Sequence, residues 1–246
     1  MQISACTRKQ KQPKQIDIDP CAYFFEHFNI RIVSADQLGP VLNLRYKIYC
    51  EENDWVGTRY ADRKIEKDEH DERALHCVIE HKDTKKPAAY VRLIKSLDGR
   101  LPISDHIHDF HATPNEWEIS RLLVCSSFRY ICNEVKITSL LFNALLLISR
   151  TIARHENIKS FYLIAEPRLV NVLVKMGYDL EIVSGPYKMR QHAKKGGTIL
   201  RYIYRVTEKA SVDSRNVLRS RLAKEIEHTL YPVKSHLNAN KFRFNN

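Results

Sequence analysis

The stretch Trp117-Glu118-Ile119-Ser120-Arg121-Leu122-Leu123-Val124 constrains the fold more than any other part of the chain. Trp117, Ile119 and the run from Leu122 alternate as a half-buried β-strand does. The same stretch carries Glu118 and Arg121. Ionised side chains inside such a strand need partners of their own or a cavity to face. Two readings follow: a structural ion pair at a strand edge, or two members of a functional site.

The flanking chain reads as alternating helices and strands. Residues 1–22 are polar and basic and are expected to form a flexible arm. Phe24, Phe25 and Phe28 open the packed part, and Ile30 to Val33 alternates as a first strand. Ser34 or Asp36 is placed to cap a helix through Val41, Leu42, Leu44, Ile48 and Tyr49. Arg45 and Tyr49 lie one turn apart and share a face of it. A long polar segment from Glu51 to Arg73 follows, with Trp55 and the run Glu66-Lys67-Asp68-Glu69-His70-Asp71-Glu72. Polar segments of that length are often functional, although a solvated loop is the ordinary reading of a charge run.

Ala74 to Glu80 and Ala88 to Ile94 read as a hairpin, with Arg92 interrupting the second strand. After the central strand comes a helix, apolar nearly all round from Leu140 to Ile148, with Thr138 or Ser139 as its cap. Ser160 to Ala165 is a strand. Pro167 opens a helix that ends at Gly177, where a helix C-terminal glycine belongs. Tyr178 to Val183 and Thr198 to Val206 are the last strands, and Val212 to His228 is a terminal helix. The expected organisation is one mixed α/β domain over residues 23–210, followed by a helix and polar tail over 211–246.

Composition excludes several classes. An apolar share of 43% over 246 residues supports one sizeable core rather than a disordered chain. No apolar run reaches the ~18 residues of a membrane span, and Met1 to Lys9 lacks the apolar core of a signal peptide. The six cysteines, at 6, 21, 50, 77, 125 and 132, form no CxxC pair, which suits reduced thiols and a cytoplasmic protein. The net charge of +11 fits nucleic acid, an acidic membrane surface or an acidic protein partner. The basic residues are dispersed and form no basic helix, so nucleic acid is not the expected partner. His106, His108, Asp109 and His111 invite a metal, but they form no diagnostic motif. A polar surface loop without metal is expected there.

The charged and aromatic positions, taken in order, narrow the fold. Arg45-Tyr46-Lys47-Ile48-Tyr49, then Trp55, Asp68-x-x-Asp71, Arg92 in a Val-Arg-Leu strand and Glu118-x-x-Arg121 resemble the signature of the autoinducer synthases. Those enzymes make acyl-homoserine lactones and share the fold of the Gcn5-related N-acetyltransferases (GNAT). Tyr49 stands where phenylalanine is usual. The wording Arg45 to Glu52, His76 and Gly185-Pro186 is similar to a sister group, the bacterial N-acyl amino acid synthases and the acyltransferases associated with exosortase systems. The resemblance spans roughly residues 28–206. It implies a GNAT-like α/β (α+β) domain, with a mixed, mostly antiparallel sheet flanked by helices, and an amide-forming N-acyltransferase.

Such a reaction needs a base for an ammonium proton and a holder for a developing oxyanion. The expected assignment makes Glu118 the base, directly or through a water, with Arg92 and Arg121 catalytic or structural. Asp68 and Asp71 would bind the acceptor amine. Arg45 would bind the acceptor carboxylate or buttress those acids, Trp55 would close the pocket over the acceptor, and Tyr49 is a further substrate-binding candidate. Cys125 to Tyr130 lacks the glycines with which acetyltransferases of this fold cradle a pyrophosphate. That absence favours an acyl thioester on acyl carrier protein, an acidic partner, with no further cofactor. Arg129, Lys136 and Arg150 are candidate docking residues, or ordinary surface cations. The helix at Leu140 to Ile148 would line an acyl tunnel or serve as plain core. The acceptor is an amino acid or related metabolite or, in the autoinducer reading, S-adenosylmethionine. A third reading, from a different class, is a non-catalytic basic binding module.

Overall fold

The computed structural model describes residues 19–53, 55, 62–131, 135–190, 198–208 and 217–232. Helix α1 (Pro20–His27) starts inside the expected arm and buries Cys21 and Phe24, with the Asp19 side chain accepting from the Cys21 amide. The arm before residue 19 and the tail after residue 232 lie outside the described residues.

A seven-stranded sheet forms the centre of the molecule. Its strands are β1 (Phe28–Val33), β2 (Ala74–His81), β3 (Pro87–Lys95), β4 (Glu116–Val124), β7 (Ser160–Ala165), β8 (Tyr178–Arg190) and β9 (Thr198–Glu208), in the order β1-β2-β3-β4-β7-β9-β8. Two short strands, β5 (Tyr130–Ile131) and β6 (Val135–Lys136), pair apart from it. All neighbours in the large sheet are antiparallel except β4 and β7. Those two pair only from Glu116–Ser160 to Glu118–Tyr162 and then part, β4 running on to Val124 and β7 to Ala165. The sheet therefore opens at its middle.

Alternation assigns the two faces. Cys77, Ile79, Val91, Leu93, Trp117, Phe161, Leu163, Tyr204 and Val206 join one core with α3 (Thr138–His155), α4 (Pro167–Lys175) and α5 (Val217–Leu230). The opposite face carries two smaller clusters. Val78 and Tyr90 meet α2 (Gly39–Tyr46), and Tyr162 and Ile203 meet Leu101 and Ile103.

Several local expectations are corrected. Neither Ser34 nor Asp36 caps α2; the two bond each other beside a single 3-10 turn at Ala35–Gln37, and α2 starts at Gly39 with Pro40 in its first turn. Nor does Thr138 or Ser139 cap α3, whose N-cap is Ile137 with no side-chain bond. Gly177 does terminate α4, at φ +86, where a side chain would be strained. The described cysteines Cys21, Cys77 and Cys125 are free thiols. No helix among the described residues is long and apolar enough to cross a membrane.

Candidate active site

The site begins with a break in the alternation of β4. Glu118 and Arg121 are three residues apart, so a regular strand would send them to opposite faces. Arg92 pairs with Ser120 and Tyr90 with Leu123, so two β4 residues, Arg121 and Leu122, stand opposite the single Val91. This is a β-bulge, and Arg121 takes the left-handed φ of +54 that it requires. The inserted residue returns Leu122 and Val124 to the helix-side core and turns the Arg121 side chain toward the other face, where Glu118 already points.

There Arg121 joins a network of six charges. Arg45, from α2, donates to Glu66 Oε2 and to Asp71 Oδ1, each at 2.5 Å. Arg92 donates to Asp68 at 2.5 Å, to Asp71 at 2.7 Å and to Ser120 Oγ at 2.9 Å. Arg121 binds Glu66 through Nε and Nη2 at 3.1 and 2.8 Å, and Asp68 at 3.0 Å. Three cations thus balance three anions, and the penalty of burying each charge is offset by several short contacts. Burial alone would raise the Asp68 carboxyl, but the Arg92 bond and the nearby Arg92, Arg121 and Arg45 charges hold it well below the usual range. Arginine contacts likewise outweigh burial at Glu66 and Asp71 and hold both below it.

The two aspartates have a second, local task. Asp68 caps the 3-10 turn Glu69–Arg73 by accepting from His70 N, and Asp71 accepts from Asp68 N. His76 secures that turn from below: its Nε2 bonds the Asp71 carbonyl and its Nδ1 bonds the Tyr90 hydroxyl, both at 2.7 Å. A carbonyl only accepts, so Nε2 carries the proton and Nδ1 accepts from Tyr90. Burial lowers the His76 pKa and favours this neutral form.

Glu118 stands apart from the arginines. It is 4% exposed, and its one hydrogen-bond partner among the described residues is the Ile103 amide at 2.9 Å. Burial dominates over that bond and over the Arg92 and Arg121 charges, and its pKa is pushed up to about 7. The four residues that follow it, Ile119 to Leu122, line a cavity of about 560 Å³ at the opening between β4 and β7. Phe142 and Leu146 of α3, Leu169 and Leu173 of α4, and Leu163 of β7 make much of its wall apolar.

Tyr49 and Trp55 also line this cavity. A π-helical turn, Lys47–Glu52, continues α2 and carries Tyr49, whose carbonyl accepts from the Trp55 amide. The rings meet edge-on at 5.2 Å, and Arg121 lies 5.2 Å over the tyrosine.

This geometry invites comparison with known proteins. Residues 44–132 match the acetyltransferase (GNAT) domain model. The architecture is that of a GNAT-like α/β domain. No curated protein matches it. Among solved structures it resembles the CoA-dependent acyl-homoserine lactone synthase BjaI, at 17% identity over 81% of this chain and 89% of that one, TM-score 0.60. It also resembles the AHL synthase LasI, at 15% over 76% and 93%, TM-score 0.56. A third is the CoA-dependent acyl-homoserine lactone synthase MesI, at 16% over 80% and 95%, TM-score 0.57. At these identities the likeness is one of fold. With the domain match, it marks the chain as an acyltransferase.

The matched part of the GNAT domain contains all eight motif residues but stops before α3, α4, β7 and β9, which supply most of the cavity wall. Of those eight, Tyr49, Trp55 and Arg121 line the cavity. Arg45, Asp71 and Arg92 are sealed behind it, and Asp68 is half-buried between Arg92 and Arg121. Of the three docking candidates, Arg129 is exposed beside Glu52 at 3.6 Å. Arg150 is 7% exposed and lines the cavity from α3, so it faces inward rather than onto an outer docking surface. Lys136 ends β6, and its side chain lies outside the described residues. His108 of the histidine-rich loop pairs with Asp109, both exposed.

Two residues escaped the sequence reading. Glu66, the third acid of the network, was legible: Glu66 and Asp68 point inward with exposed Lys67 between them, as an extended segment dictates. Arg201, on β9, carried no local signal. It lines the cavity with its guanidinium 5.0 Å over the Trp55 ring.

Proposed function

We propose that this domain moves a fatty acyl chain from a carrier-bound thioester to the amine of an amino acid or related metabolite, forming an amide. The observation that carries this reading is the opening between β4 and β7, where a largely apolar cavity meets a carboxyl held near neutrality. The acyl chain occupies the cavity between α3 and α4, with its thioester carbonyl at the opening. The acceptor enters from the Tyr49–Trp55 side.

Glu118 takes the ammonium proton through a bridging water, because its carboxylate lies behind the cavity wall. The freed amine attacks the thioester carbon, a C–N bond forms and the C–S bond breaks, and the thiolate leaves as a thiol, taking up the proton that the nitrogen sheds on becoming an amide. Beyond Glu118, β4 has no β7 partner, and its backbone there is available to the carbonyl oxygen. The six-charge network is assigned a positioning role: it holds the loop bearing Asp68 and Asp71 against β3 and β4 and keeps Arg121 under Tyr49. Acyl carrier protein is the proposed donor, on the +11 charge and the glycine-free segment Cys125 to Tyr130. BjaI and MesI are described as CoA-dependent, so acyl-CoA is the control donor.

A second reading is acyl-homoserine lactone synthesis from S-adenosylmethionine, favoured by the fold shared with BjaI and LasI. Mass spectrometry of organic extracts from bacteria expressing the chain, beside an Asp71→Asn, Glu118→Gln variant, tests both. An N-acyl amino acid present only with the wild type supports the first reading. An acyl lactone, with methylthioadenosine released by the purified protein, supports the second. No difference between two folded proteins, repeated with purified acyl carrier protein and CoA donors, overturns both.

A further inference from the structure

We propose that His27, His81 and Asp83 form a binding site for a divalent ion of the zinc class, which clasps α1 to the turn between β2 and β3. Among the described residues they are the one group of three metal-ligating side chains whose ligand atoms converge, all within 4.8 Å of one another. The site lies at the β1 edge of the sheet, and none of the three lines the cavity between β4 and β7. It is therefore separate from the proposed acyl transfer.

Strand register brings the three together. Phe28 pairs with His81, and the ladder runs one step past β1, where Lys82 N donates to the His27 carbonyl at 2.8 Å. The last residue of α1 is thereby held beside the turn that carries Asp83. Aromatic neighbours hold both imidazoles. His27 packs on Tyr23, with ring centroids 4.3 Å apart, and His81 contacts Phe128 at 5.2 Å and Phe28 at 5.5 Å. The two imidazole planes lie within 13° of parallel, their centroids 6.4 Å apart. Rings positioned in this way leave less ordering to oppose binding.

The donor set selects the ion. Two imidazoles and one carboxylate suit zinc, whereas magnesium and calcium prefer oxygen ligands. Zinc bonds of about 2.0–2.2 Å set tetrahedral donors about 3.4 Å apart, and side-chain rotations, freest at the exposed Asp83, close the group to that spacing. Thr84 meets His81 Nδ1 with both its amide and its hydroxyl at 3.3 Å. That leaves Nε2 for the ion, and the hydroxyl can accept the Nδ1 proton, the outer contact that orients a ligating histidine. Glu26 Oε2, 4.0 Å from His27 Nε2, or a water can fill the fourth position. The Lys82 ammonium is engaged by the Phe25 carbonyl at 2.5 Å.

The test is zinc titration of the full chain, without a histidine tag, by calorimetry and by thermal unfolding. Comparing the wild type with His27→Gln and Asp83→Asn subtracts binding at other residues. The wild type should bind one equivalent of zinc that His27→Gln lacks. Asp83→Asn changes only an exposed turn residue, and should weaken that equivalent by at least the about 10-fold that loss of even an outer-shell partner costs. Zinc should raise the melting temperature of the wild type more than that of either variant, and magnesium should raise none. Circular dichroism without metal checks that the variants fold. Equal zinc binding and equal thermal shifts in all three proteins overturn the site, as does the absence of saturable binding by the wild type. Binding matched by magnesium overturns the zinc-class assignment.

Discussion

Glu118 shows how position along one strand sets chemistry. Desolvation raises its pKa to about 7, although Arg92 and Arg121 are close enough to oppose the shift. A base must be ionised to accept a proton, so kcat is expected to rise with pH through an apparent pKa near 7 and then level off. Glu118→Gln keeps the shape and removes the proposed base. It should lower kcat by about 10²- to 10⁴-fold and abolish the inflection, as a pH–rate profile on the folded variant will show. The residue itself was conspicuous, being an acid in an apolar strand. Its separation from Arg121 was not. Spacing of three suggests a pair, and only the bulge and the long loop arriving over it hand Arg121 to Glu66 and Asp68 instead.

At the scale of elements, the network fastens α2, the 66–73 loop, β3 and β4 to one another. Arg45 is wholly buried between Glu66 and Asp71. Arg45→Met leaves two buried carboxylates short of a cation, and should cost about 3–5 kcal/mol in denaturant unfolding. The acids also define a pH window. Glu66, Asp68 and Asp71 all have folded pKa values below their unfolded ones. Their contribution is complete above the unfolded carboxylate values, about 4. It is lost as pH falls through the depressed folded ones. Urea midpoints should therefore drop steeply below about pH 4, and less steeply in Asp68→Asn. Element positions were largely legible, because a period of two or 3.6 is a local property. The π turn under Tyr49 and the uncapped start of α3 were not, since packing against β3 and β4 overrides local capping preference.

For the whole molecule, the excess of 40 lysines and arginines over 29 acids is the relevant quantity, because the buried network is neutral and contributes nothing to it. The charge therefore lies elsewhere on the chain, where an acidic carrier would feel it. Salt is expected to raise KM for an acyl carrier protein donor as the Debye length shrinks from ~10 Å at 0.1 M toward ~3 Å at 1 M. KM for an acyl-CoA should change less, and Arg129→Glu should raise the carrier KM alone. Steady-state kinetics at several ionic strengths will check this.

The sequence by itself determined the strands and helices, the faces that alternation buries, and the roster of charges that no ordinary core would hold. The tertiary structure decided which of those charges meet. Arg45 and Glu66 are 21 positions apart, and Arg121 and Glu66 are 55 apart. Partners at such separations are chosen by strand register and loop path, which periodicity does not encode. The same holds for Arg201, an ordinary strand arginine by sequence, which becomes part of the cavity only because β9 lies beside β7 where β4 has parted from it.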